Sequence, residues 1–599
     1  MTPLHTRRRA LQALAASLTL PCLPHISFAA EPATASQRLR QLIAQSQAAA
    51  DALDPLPGRP RPRGAAAFVD PLGDEAFTAG QANATRDLAG LATLDRAALT
   101  STEQIAYDVL QYSALQRLQA YQSGIADLRR RVPLDPSGGL HLELPDYVSG
   151  AGAAFETSDD YEAGIERLHG FSRYLDSLVR RSQEGLQSGL AQPRLVAEKV
   201  ATQAEAMLAV PSAESPFLAA TRRFPAAVPA EQREQYTRRY EQAVQREVLP
   251  AYRRLATYLR QVYVPRANDA PGRWALKDGL SLYANDLREH TTIDVTADQL
   301  HATGLSEVAR LRAAMDETRV RVGFKAELPA FFEFIRKDPQ FYCRTPEDLL
   351  ARFAEIERHI WEGMPRLFAR KPKAPFEVRA LPALGSQRGT GYYRPGPPDG
   401  KTPGVLWFNM AMLNTRPIPT LETLTLHEGI PGHHYQITLA LEYDSLPDNL
   451  RRGSPTAYAE GWGLYSESLG RELGMFTDPY QYFGHLDMGM LRAVRLVVDT
   501  GIHALRWTRA QAIDYMLANT SMARHDVEVE IDRYIAWPGQ ACAYKTGELR
   551  IQALRREATA ALGARFDIKD FHEQVLDTGG LPLAVLERKV HAWCCAAPA

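Results

Sequence analysis

Apolar residues recur at helical spacing along most of the chain. Residues 34–53 form the first such stretch, and helical patterns dominate from about residue 84 onward. Apolar side chains at this spacing fall on one face of a helix, so each stretch predicts a helix that covers a core. The clearest helical patterns span residues 101–130, 158–187, 231–262, 296–321 and 346–370.

Alternation of apolar and polar residues is rare and confined to one part of the chain. It occurs in PFEVRAL (375–381), GTGYYRP (389–395) and GVLWFNM (404–410). A period of two is the pattern of a half-buried strand, so these segments predict one small sheet. We therefore expect a mainly α protein with one minor sheet. Residues 31–599 are expected to form a single domain, and a division of that domain into two lobes is left as an alternative.

The composition is that of a soluble globular protein. Of the 599 residues, 45% are hydrophobic and 23% are charged, which excludes a disordered, collagen-like or purely coiled-coil chain. The 69 Lys and Arg residues nearly balance the 70 Asp and Glu residues, so nothing favours a nucleic-acid partner. After residue 30, no stretch is apolar for long enough to predict stable insertion in a membrane.

Residues 1–30 have the pattern of a secretory signal. Three arginines (7–9) precede an apolar run, and small residues follow up to Ala30. The paired arginines indicate the twin-arginine route, and the segment predicts a periplasmic or secreted protein. Cys22 raises the alternative of a lipoprotein, but Pro21 before it is unlike the small residue that lipid attachment prefers.

Few cysteines follow the signal. They are Cys343, Cys542, Cys594 and Cys595, and no pair has C-x-x-C spacing. A large exported protein with so few cysteines is not held together by a disulfide framework, although these four cysteines still allow a single bridge.

The densest group of metal-binding side chains lies in the segment LETLTLHEGIPGHHY. His427 and Glu428 come first, and His433 and His434 follow within eight residues. Many zinc peptidases use H-E-x-x-H on a helix, where the two histidines bind the metal and the glutamate activates water. Here Pro431 takes the place of the second histidine. The cluster still favours a metal site over a polar surface turn.

Helix geometry bears on which later histidine is the second ligand. In a straight helix His433 lies on a different face from His427, whereas His434 returns to the same face about 10.5 Å away. Pro431 and Gly432 disrupt regular helical hydrogen bonding. A local bulge there would absorb two residues and return His433 to the usual position of the second ligand. We therefore favour His433 over His434.

The third ligand is expected from a later helix, AYAEGWGLYSESLG (457–470). Glu460 lies in its apolar, aromatic part, where a carboxylate is costly unless it is paired or bound to a metal. Glu467, two turns further on, is expected to be a structural residue on an exposed face. Two histidines and one glutamate leave a fourth position for water, which is the pattern of a catalytic zinc site.

Four segments together resemble a known bacterial family. They are HEGIPGHHYQ (427–436), AYAEGWGLYSE (457–467), RLVVDTGIHALRW (495–507) and PGQACAYKTG (538–547), and weaker similarity covers most of the remaining chain. Their order and combination are similar to the "domain of unknown function 885" family. That family in turn resembles the helical gluzincin metallopeptidases, such as the thimet oligopeptidase, angiotensin-converting enzyme and thermostable carboxypeptidase groups.

The resemblance implies a helical fold around a deep cleft, with the active-site portion at about 375–599 and the small sheet beside it. It also implies one zinc ion per chain and hydrolysis of peptide bonds. His427, His433 and Glu460 would be the metal ligands, and Glu428 would be the general base. A substrate does not follow from the resemblance.

The last two segments contain further candidates. The resemblance makes Tyr544 a candidate oxyanion donor, with a satisfied core tyrosine as the alternative. His503 follows Asp499 at helical spacing, and such a pair either orients an imidazole for the transition state or is a buried structural pair. Arg495 is an alternative partner of Asp499, and Lys545 is expected in solvent.

The predicted sheet is a candidate substrate-binding element. In such peptidases an edge strand lines the cleft and pairs with the substrate backbone. GVLWFNM, with Asn409, is the candidate strand, and residues 391–394 would supply aromatic walls and an anchor for a carboxylate. Two D-T-G tripeptides, at Asp499 and Asp577, match aspartic proteases in sequence only, because both lie in helical context.

The sequence thus predicts a zinc-dependent hydrolase that cleaves short peptides with water activated by glutamate. Two alternatives remain beside it. One is a metal-dependent amidase that acts on modified amides, and the other is a non-catalytic peptide-binding protein with the same fold. The metal is expected to be zinc, although nitrogen and oxygen ligands also accept other divalent ions.

Overall fold

A computed structural model describes residues 34–57, 66–153, 155–381 and 391–596. The predicted signal at 1–30, with Cys22, lies outside these residues. Within them no helix is both long enough and apolar enough to cross a membrane.

Helices dominate the described chain, as the apolar spacing predicts. The helices before the sheet are α1 (Ala35–Leu53), α2 (Asp74–Ala92), α3 (Ser101–Gln122), α4 (Ile125–Arg130), α5 (Leu140–Asp146), α6 (Ser158–Gln187), α7 (Arg194–Ala209), α8 (Ala230–Ala243), α9 (Leu249–Tyr258), α10 (Gly279–Thr291), α11 (Ala297–Arg321), α12 (Leu328–Lys337) and α13 (Pro346–Leu367). The helices after it are α14 (Leu421–Glu428), α15 (His433–Glu442), α16 (Asp448–Arg451), α17 (Thr456–Ser468), α18 (Pro479–His503), α19 (Arg509–Asn519), α20 (Arg524–Ala536), α21 (Ala543–Leu562), α22 (Ile568–Leu576) and α23 (Leu583–Ala596).

Local signals explain where several helices begin and end. Thr296 caps α11, and its hydroxyl accepts a hydrogen bond from the backbone of Gln299. The predicted single helix at 101–130 is wrong, because Gly124 at φ 79° separates α3 from α4. The second D-T-G follows α22, and Gly579 has φ 70° just after the end of that helix.

The small sheet has three strands, β1 (Phe376–Ala380), β2 (Gly391–Arg394) and β3 (Gly404–Phe408). Their order is β1-β3-β2, with β1 parallel and β2 antiparallel to β3. The prediction that GVLWFNM is an edge strand is therefore wrong, because β3 pairs with β1 on one side and with β2 on the other. Asn409 just after it is buried, and its Oδ1 accepts a hydrogen bond from the backbone of Ala411.

Two large clusters of buried apolar residues form the interior. One joins α6–α9 to α11, α12 and α18–α20, around residues such as Phe171 and Met490. The other joins α1–α3, α13 and the sheet to α14–α17 and α21–α23, around Leu426 and Trp462. Burial of one such side chain stabilises the fold by about 1.5–3 kcal/mol. Since α18 of the first cluster packs on α14 and α21 of the second, the segments with the candidate ligands lie where the two clusters meet.

The cysteines do not cross-link the described chain. Cys343 and Cys542 are buried, Cys594 is half-buried and Cys595 is exposed, and all four are free thiols. The absence of a disulfide framework among the described residues agrees with the sequence prediction, and the single bridge left open there does not form.

Candidate metal centre

The segment between the two histidine pairs is a complete break between two helices. After α14 ends at Glu428, the backbone N–H groups of Gly429 and Ile430 both donate to the carbonyl oxygen of Thr425. A cis peptide bond precedes Pro431, and α15 begins at His433. The prediction of a bulge within one continuous helix is therefore wrong, because two separate helices form.

Gly432 makes this break possible. A Cβ atom at this position would lie 1.8 Å from the carbonyl oxygen of His427, so the backbone passes where no side chain fits. The indole nitrogen of Trp462 donates to the carbonyl oxygen of Pro431 at 2.8 Å and ties the break to α17. The result is that His433 returns beside His427, as the sequence analysis expects.

His427, His433 and Glu460 come together in one group. Their candidate ligand atoms all lie within 4.8 Å of one another. Glu460 Oε2 is 3.5 Å from His427 Nε2 and 3.5 Å from His433 Nε2, and the two imidazole rings cross at 77°. Three side chains from α14, α15 and α17 thus converge on one point.

The polar atoms of this group fit a metal ion better than they fit one another. Glu460 Oε2 and His433 Nδ1 are buried and have no hydrogen-bond partner among the described residues. Contacts of 3.5 Å are longer than ordinary hydrogen bonds, and buried polar atoms without a partner are costly. Two imidazole nitrogens and one carboxylate oxygen are a known donor set for a catalytic metal. The group can hold a metal ion.

Glu467 holds the other side of the His427 ring. His427 Nδ1 donates to Glu467 Oε1 at 2.8 Å, and Arg492 Nη2 lies 3.6 Å from the same oxygen. Glu467 is only 1% exposed, so its predicted place on an exposed face is wrong. A carboxylate that binds Nδ1–H fixes the ring tautomer and leaves Nε2 free for a metal.

One face of α17 forms a cradle for the His427 ring. Glu460 and Glu467 lie two turns apart on this face and contact opposite ring nitrogens. Gly463 lies between them, where a Cβ atom would be 2.6 Å from His427 Cε1. Neither Gly463 nor the role of Glu467 was predicted from the sequence. Their signal was the spacing of two glutamates and a glycine on one helical face.

The electrostatics of the metal-free group favour charged side chains. Burial lowers the pKa of His427, but the nearby carboxylate of Glu460 and the hydrogen-bonded carboxylate of Glu467 outweigh it and raise this pKa to about 10. Burial raises the pKa of Glu460, yet the nearby imidazoles of His427 and His433 hold it well below its ordinary value. A metal that binds His427 must therefore displace a proton.

His434 faces away from this group. It is buried, and its Nδ1 accepts a hydrogen bond from the hydroxyl of Tyr393 on β2 at 2.9 Å. Its ring lies against Phe376 of β1, and burial lowers its pKa to about 4. The preference for His433 over His434 therefore agrees with the geometry, because His434 ties α15 to the sheet.

Glu428 ends α14 beside the first ligand. Its side chain is half-buried, and its carboxylate has no hydrogen-bond partner within the described ranges. Its negative charge acts to raise the pKa of both His427 and Tyr393, so the carboxylate lies near both. An acceptor free of protein partners is available to water or a ligand.

Tyr544 lies near Glu460 because two helices cross closely there. A Cβ atom on Gly461 of α17 would lie 2.5 Å from the Cα atom of Gly547 on α21, so the two backbones touch. Burial and the charge of Glu460 raise the pKa of Tyr544. Among the described residues, its hydroxyl accepts only a long, 3.4 Å hydrogen bond from Gln540 Nε2.

His503 lies apart from the metal group. Its Nδ1 accepts from the backbone of Arg273 at 3.2 Å, and its Nε2 donates to the carbonyl oxygen of Tyr534 at 2.9 Å. Burial lowers its pKa to about 3. With both nitrogens bound to backbone, His503 has the contacts of a structural residue, and the structure does not bring it to the metal ligands.

The expected partners of Asp499 are also different. Asp499 Oδ1 accepts from the hydroxyl of Tyr283 at 2.6 Å and from the backbone of Gly539 at 3.1 Å, rather than from His503 or Arg495. Lys545 is 2% exposed and pairs with Glu548, so its predicted place in solvent is wrong.

Two solved structures share this architecture. A candidate lipoprotein from Colwellia psychrerythraea is 28% identical, with a TM-score of 0.80, and the match covers 94% of this chain and 99% of that chain. A candidate lipoprotein of unknown function from Shewanella oneidensis is 18% identical, with a TM-score of 0.73, and the match covers 93% of this chain and 99% of that chain. No curated protein matches the chain.

The family comparison covers most of the chain. Residues 58–590 match the family described as bacterial protein of unknown function, DUF885. This range contains the two helices of the histidine pairs, the cradle on α17 and the crossing of α17 with α21. The chain therefore belongs to the DUF885 family of bacterial proteins.

Proposed function

We propose that this protein is a zinc-dependent hydrolase that cleaves peptide bonds of short peptides in a deep cleft. The observation that carries the proposal is Glu460 Oε2, a buried carboxylate oxygen that faces two imidazole nitrogens and has no hydrogen-bond partner among the described residues. His427, His433 and Glu460 would hold the metal. Glu467 would orient His427, as outer carboxylates do in many metal sites.

A divalent metal ion with these three ligands and an open position supplies Lewis acidity, which acidifies water and polarises a carbonyl group. Glu428 is the general base in this proposal. Its carboxylate accepts a proton from the attacking water and delivers that proton to the departing amine. Its half-buried position next to His427, free of other described partners, supports this role.

Tyr544 is the candidate donor to the developing oxyanion. Within the part of the chain that the structure describes, its hydroxyl has only the long contact from Gln540, so it can turn toward a substrate oxygen. The raised pKa keeps the phenol protonated at neutral pH, which a hydrogen-bond donor requires. His503 has no part in this mechanism, because backbone groups occupy both of its nitrogens.

We also propose that the protein acts outside the cytoplasm, in the periplasm or beyond. The signal pattern of residues 1–30 supports this location. The two similar solved structures are described as candidate lipoproteins, which are proteins of the cell envelope, and this agrees with export.

The test is a comparison of wild type with Glu428→Gln, both loaded with zinc, on a library of short peptides. We expect the wild type to hydrolyse members of the library. Glu428→Gln should bind about one zinc per chain but lose about 10²–10⁴-fold in kcat. Glu234→Gln, an exposed exchange of the same type on α8, is the matched control.

Two results would contradict the proposal. One is a folded wild type that takes up no metal when zinc is supplied. The other is a zinc-loaded Glu428→Gln protein with the activity of the wild type. Hydrolysis of modified amides but not of plain peptides would keep the metal chemistry and replace the substrate class.

A further inference from the structure

Two arginines share one glutamate close to Tyr544. Arg495 on α18 and Arg533 on α20 each donate from Nη2 to Glu530 Oε2, at 2.9 Å and 3.1 Å. The hydroxyl of Tyr534 also donates to this oxygen. One carboxylate oxygen therefore receives three donors, two of them cationic.

This arginine pair is connected to Tyr544. The guanidinium of Arg495 lies 4.6 Å from the centre of the Tyr544 ring. Arg533 Nη1 donates to Gln540 Oε1 at 2.8 Å, and Gln540 in turn contacts the Tyr544 hydroxyl. The charge of Glu460 also acts on Tyr544, so Tyr544 connects the arginine pair to the group of metal ligands.

The charges of the pair do not balance. In the part of the chain that the structure describes, Glu530 is the only carboxylate that forms an ion pair with either arginine. Asp499, one turn from Arg495, is occupied by Tyr283 and Gly539. The side chain of Arg495 is 9% exposed, so its charge is held mostly away from water. Two cations therefore share one anion, and a carboxylate that arrives would give the pair a second one.

Arg533 gives a ligand access to this excess charge. Its side chain is 24% exposed, compared with 9% for Arg495, so Arg533 is the more accessible of the two arginines. A guanidinium presents a planar set of donors that matches the two oxygens of a carboxylate. A metal ion bound to Glu460 would neutralise the charge of that carboxylate. Glu460 would then no longer offset the excess positive charge of the two arginines.

We propose that Arg533, backed by Arg495, binds a carboxylate of the substrate, so that the hydrolase selects peptides with a free carboxylate near the scissile bond. This inference rests on the proposed hydrolase function. The carboxylate comes from the end of the peptide chain or from an acidic side chain beside it. The first source makes the protein a carboxypeptidase.

The test uses three forms of one short peptide on the zinc-loaded protein: the free acid, its C-terminal amide, and an amide whose last residue is glutamate. We expect kcat/KM for the free acid to exceed that for the plain amide by at least about 30-fold, the range of a charge-assisted contact. High activity on the glutamate-containing amide would assign the contact to an acidic side chain. Low activity on it would assign the contact to the chain end.

Variants of α20 show whether the arginine is responsible. Arg533→Gln should lower the preference for the carboxylate to less than about fivefold, and Arg533→Lys should restore only part of it because the planar fork is missing. Arg524→Gln is the matched control, since Arg524 lies on the same helix with a side chain that is 63% exposed. Equal activity on all three peptides, or a preference for a carboxylate that survives Arg533→Gln, would overturn the inference while the hydrolase stands.

Binding separates the two proposals if no peptide is cleaved. Calorimetry would compare N-acetylphenylalanine with its amide on zinc-loaded wild type and Arg533→Gln. Tighter binding of the acid that weakens about tenfold in Arg533→Gln would support the carboxylate subsite although the hydrolase proposal had failed. Equal binding of acid and amide, without hydrolysis, would count against both.

Discussion

Two buried histidine–acid groups in this molecule have opposite characters. At the metal centre, Glu460 Oε2 faces two imidazoles without a hydrogen bond. At the end of α18, both oxygens of Asp499 and both ring nitrogens of His503 have protein partners. In the first group a buried polar atom has no hydrogen-bond partner among the described residues, so a bound ion would satisfy it. In the second group the polar atoms are all satisfied by the protein.

Electrostatics separate the two groups in the same way. Around His427 and Glu460 the surroundings stabilise the charged forms of both side chains. Around the α18 pair, burial raises the pKa of Asp499 to about 7 and lowers that of His503 to about 3, which favours neutral forms. A count of partners therefore distinguishes a ligand site from a structural polar group where the residue types alone do not.

The sharpest test of the comparison is Glu460→Gln. Loss of the anionic ligand should weaken zinc binding by at least about 100-fold, because an amide oxygen is a poor substitute for a carboxylate. Elemental analysis after dialysis and a zinc titration would measure the effect, with circular dichroism as the check of folding. Retention of one tightly bound zinc per chain would remove Glu460 from the ligand set.

The converse change is Asp499→Ala at the complete group. It leaves the hydroxyl of Tyr283 and the N–H of Gly539 without an acceptor, so the free energy of unfolding should fall by about 2–4 kcal/mol. Asp499→Asn keeps an acceptor and should cost less. Urea denaturation measures both, and zinc affinity should not change. A loss of zinc with unchanged stability would reverse the distinction between the groups.

The neutral histidines also predict how stability depends on pH. His503 and His572 both have a pKa of about 3 in the folded protein, below the ordinary 6.5, because burial disfavours their charge. The unfolded chain then binds more protons between these values, so unfolding becomes easier as the pH falls from 6.5. Asp499 acts in the opposite direction, because its raised pKa favours the folded state below pH 7.

Burial also lowers the pKa of His434 and of His485 to about 4, so the histidines outweigh Asp499 and stability should fall on acidification. We expect the free energy of unfolding to drop by at least about 2 kcal/mol from pH 7 to pH 4.5, measured by urea denaturation of the metal-free protein. His503→Gln should make this slope shallower. A protein that becomes more stable over this interval would contradict the assignment of neutral histidines.

A smaller effect is expected from Glu467→Gln. The amide oxygen still accepts the proton of His427 Nδ1, but the negative charge that strengthens the ligand is gone. Zinc affinity should fall by about tenfold, with one zinc per chain still bound at saturation. Competition with a chelator measures this change. An unchanged affinity would make Glu467 a packing residue only.

The smallest effect on the metal is expected from His434→Ala. His434 faces Tyr393 and the sheet, so zinc affinity and stoichiometry should match the wild type, while stability falls through the lost hydrogen bond. The same elemental analysis gives the answer. A metal-free His434→Ala protein would show that the two adjacent histidines have exchanged roles.

Much of this arrangement could be predicted from the chain itself. Helices follow from the spacing of apolar residues, and the Pro431–Gly432 pair indicates an interruption that favours His433. Glu460 stands out because it is a carboxylate among aromatic residues. The two histidine ligands could be predicted from their spacing in one segment, and the glutamate ligand from its place in the later helix α17.

The errors concern contacts between distant segments. Glu467 is buried because His427 approaches it from another helix, and spacing along α17 alone does not show that partner. The strand order places β3 in the middle, although alternation is the same in central and edge strands. His503 follows Asp499 at helical spacing, yet a hydrogen bond from Tyr283 on α10 takes the carboxylate.

The contact of Gly461 with Gly547 has a consequence for how this protein can diverge. Because two backbones touch there, the gap between the metal ligand on α17 and the tyrosine on α21 is set by main-chain atoms. Apolar residues of both cores can be exchanged without altering that gap, whereas one added methyl group at either glycine would wedge the helices apart. Related chains should therefore vary freely in their interiors while this single point of contact stays glycine on both sides.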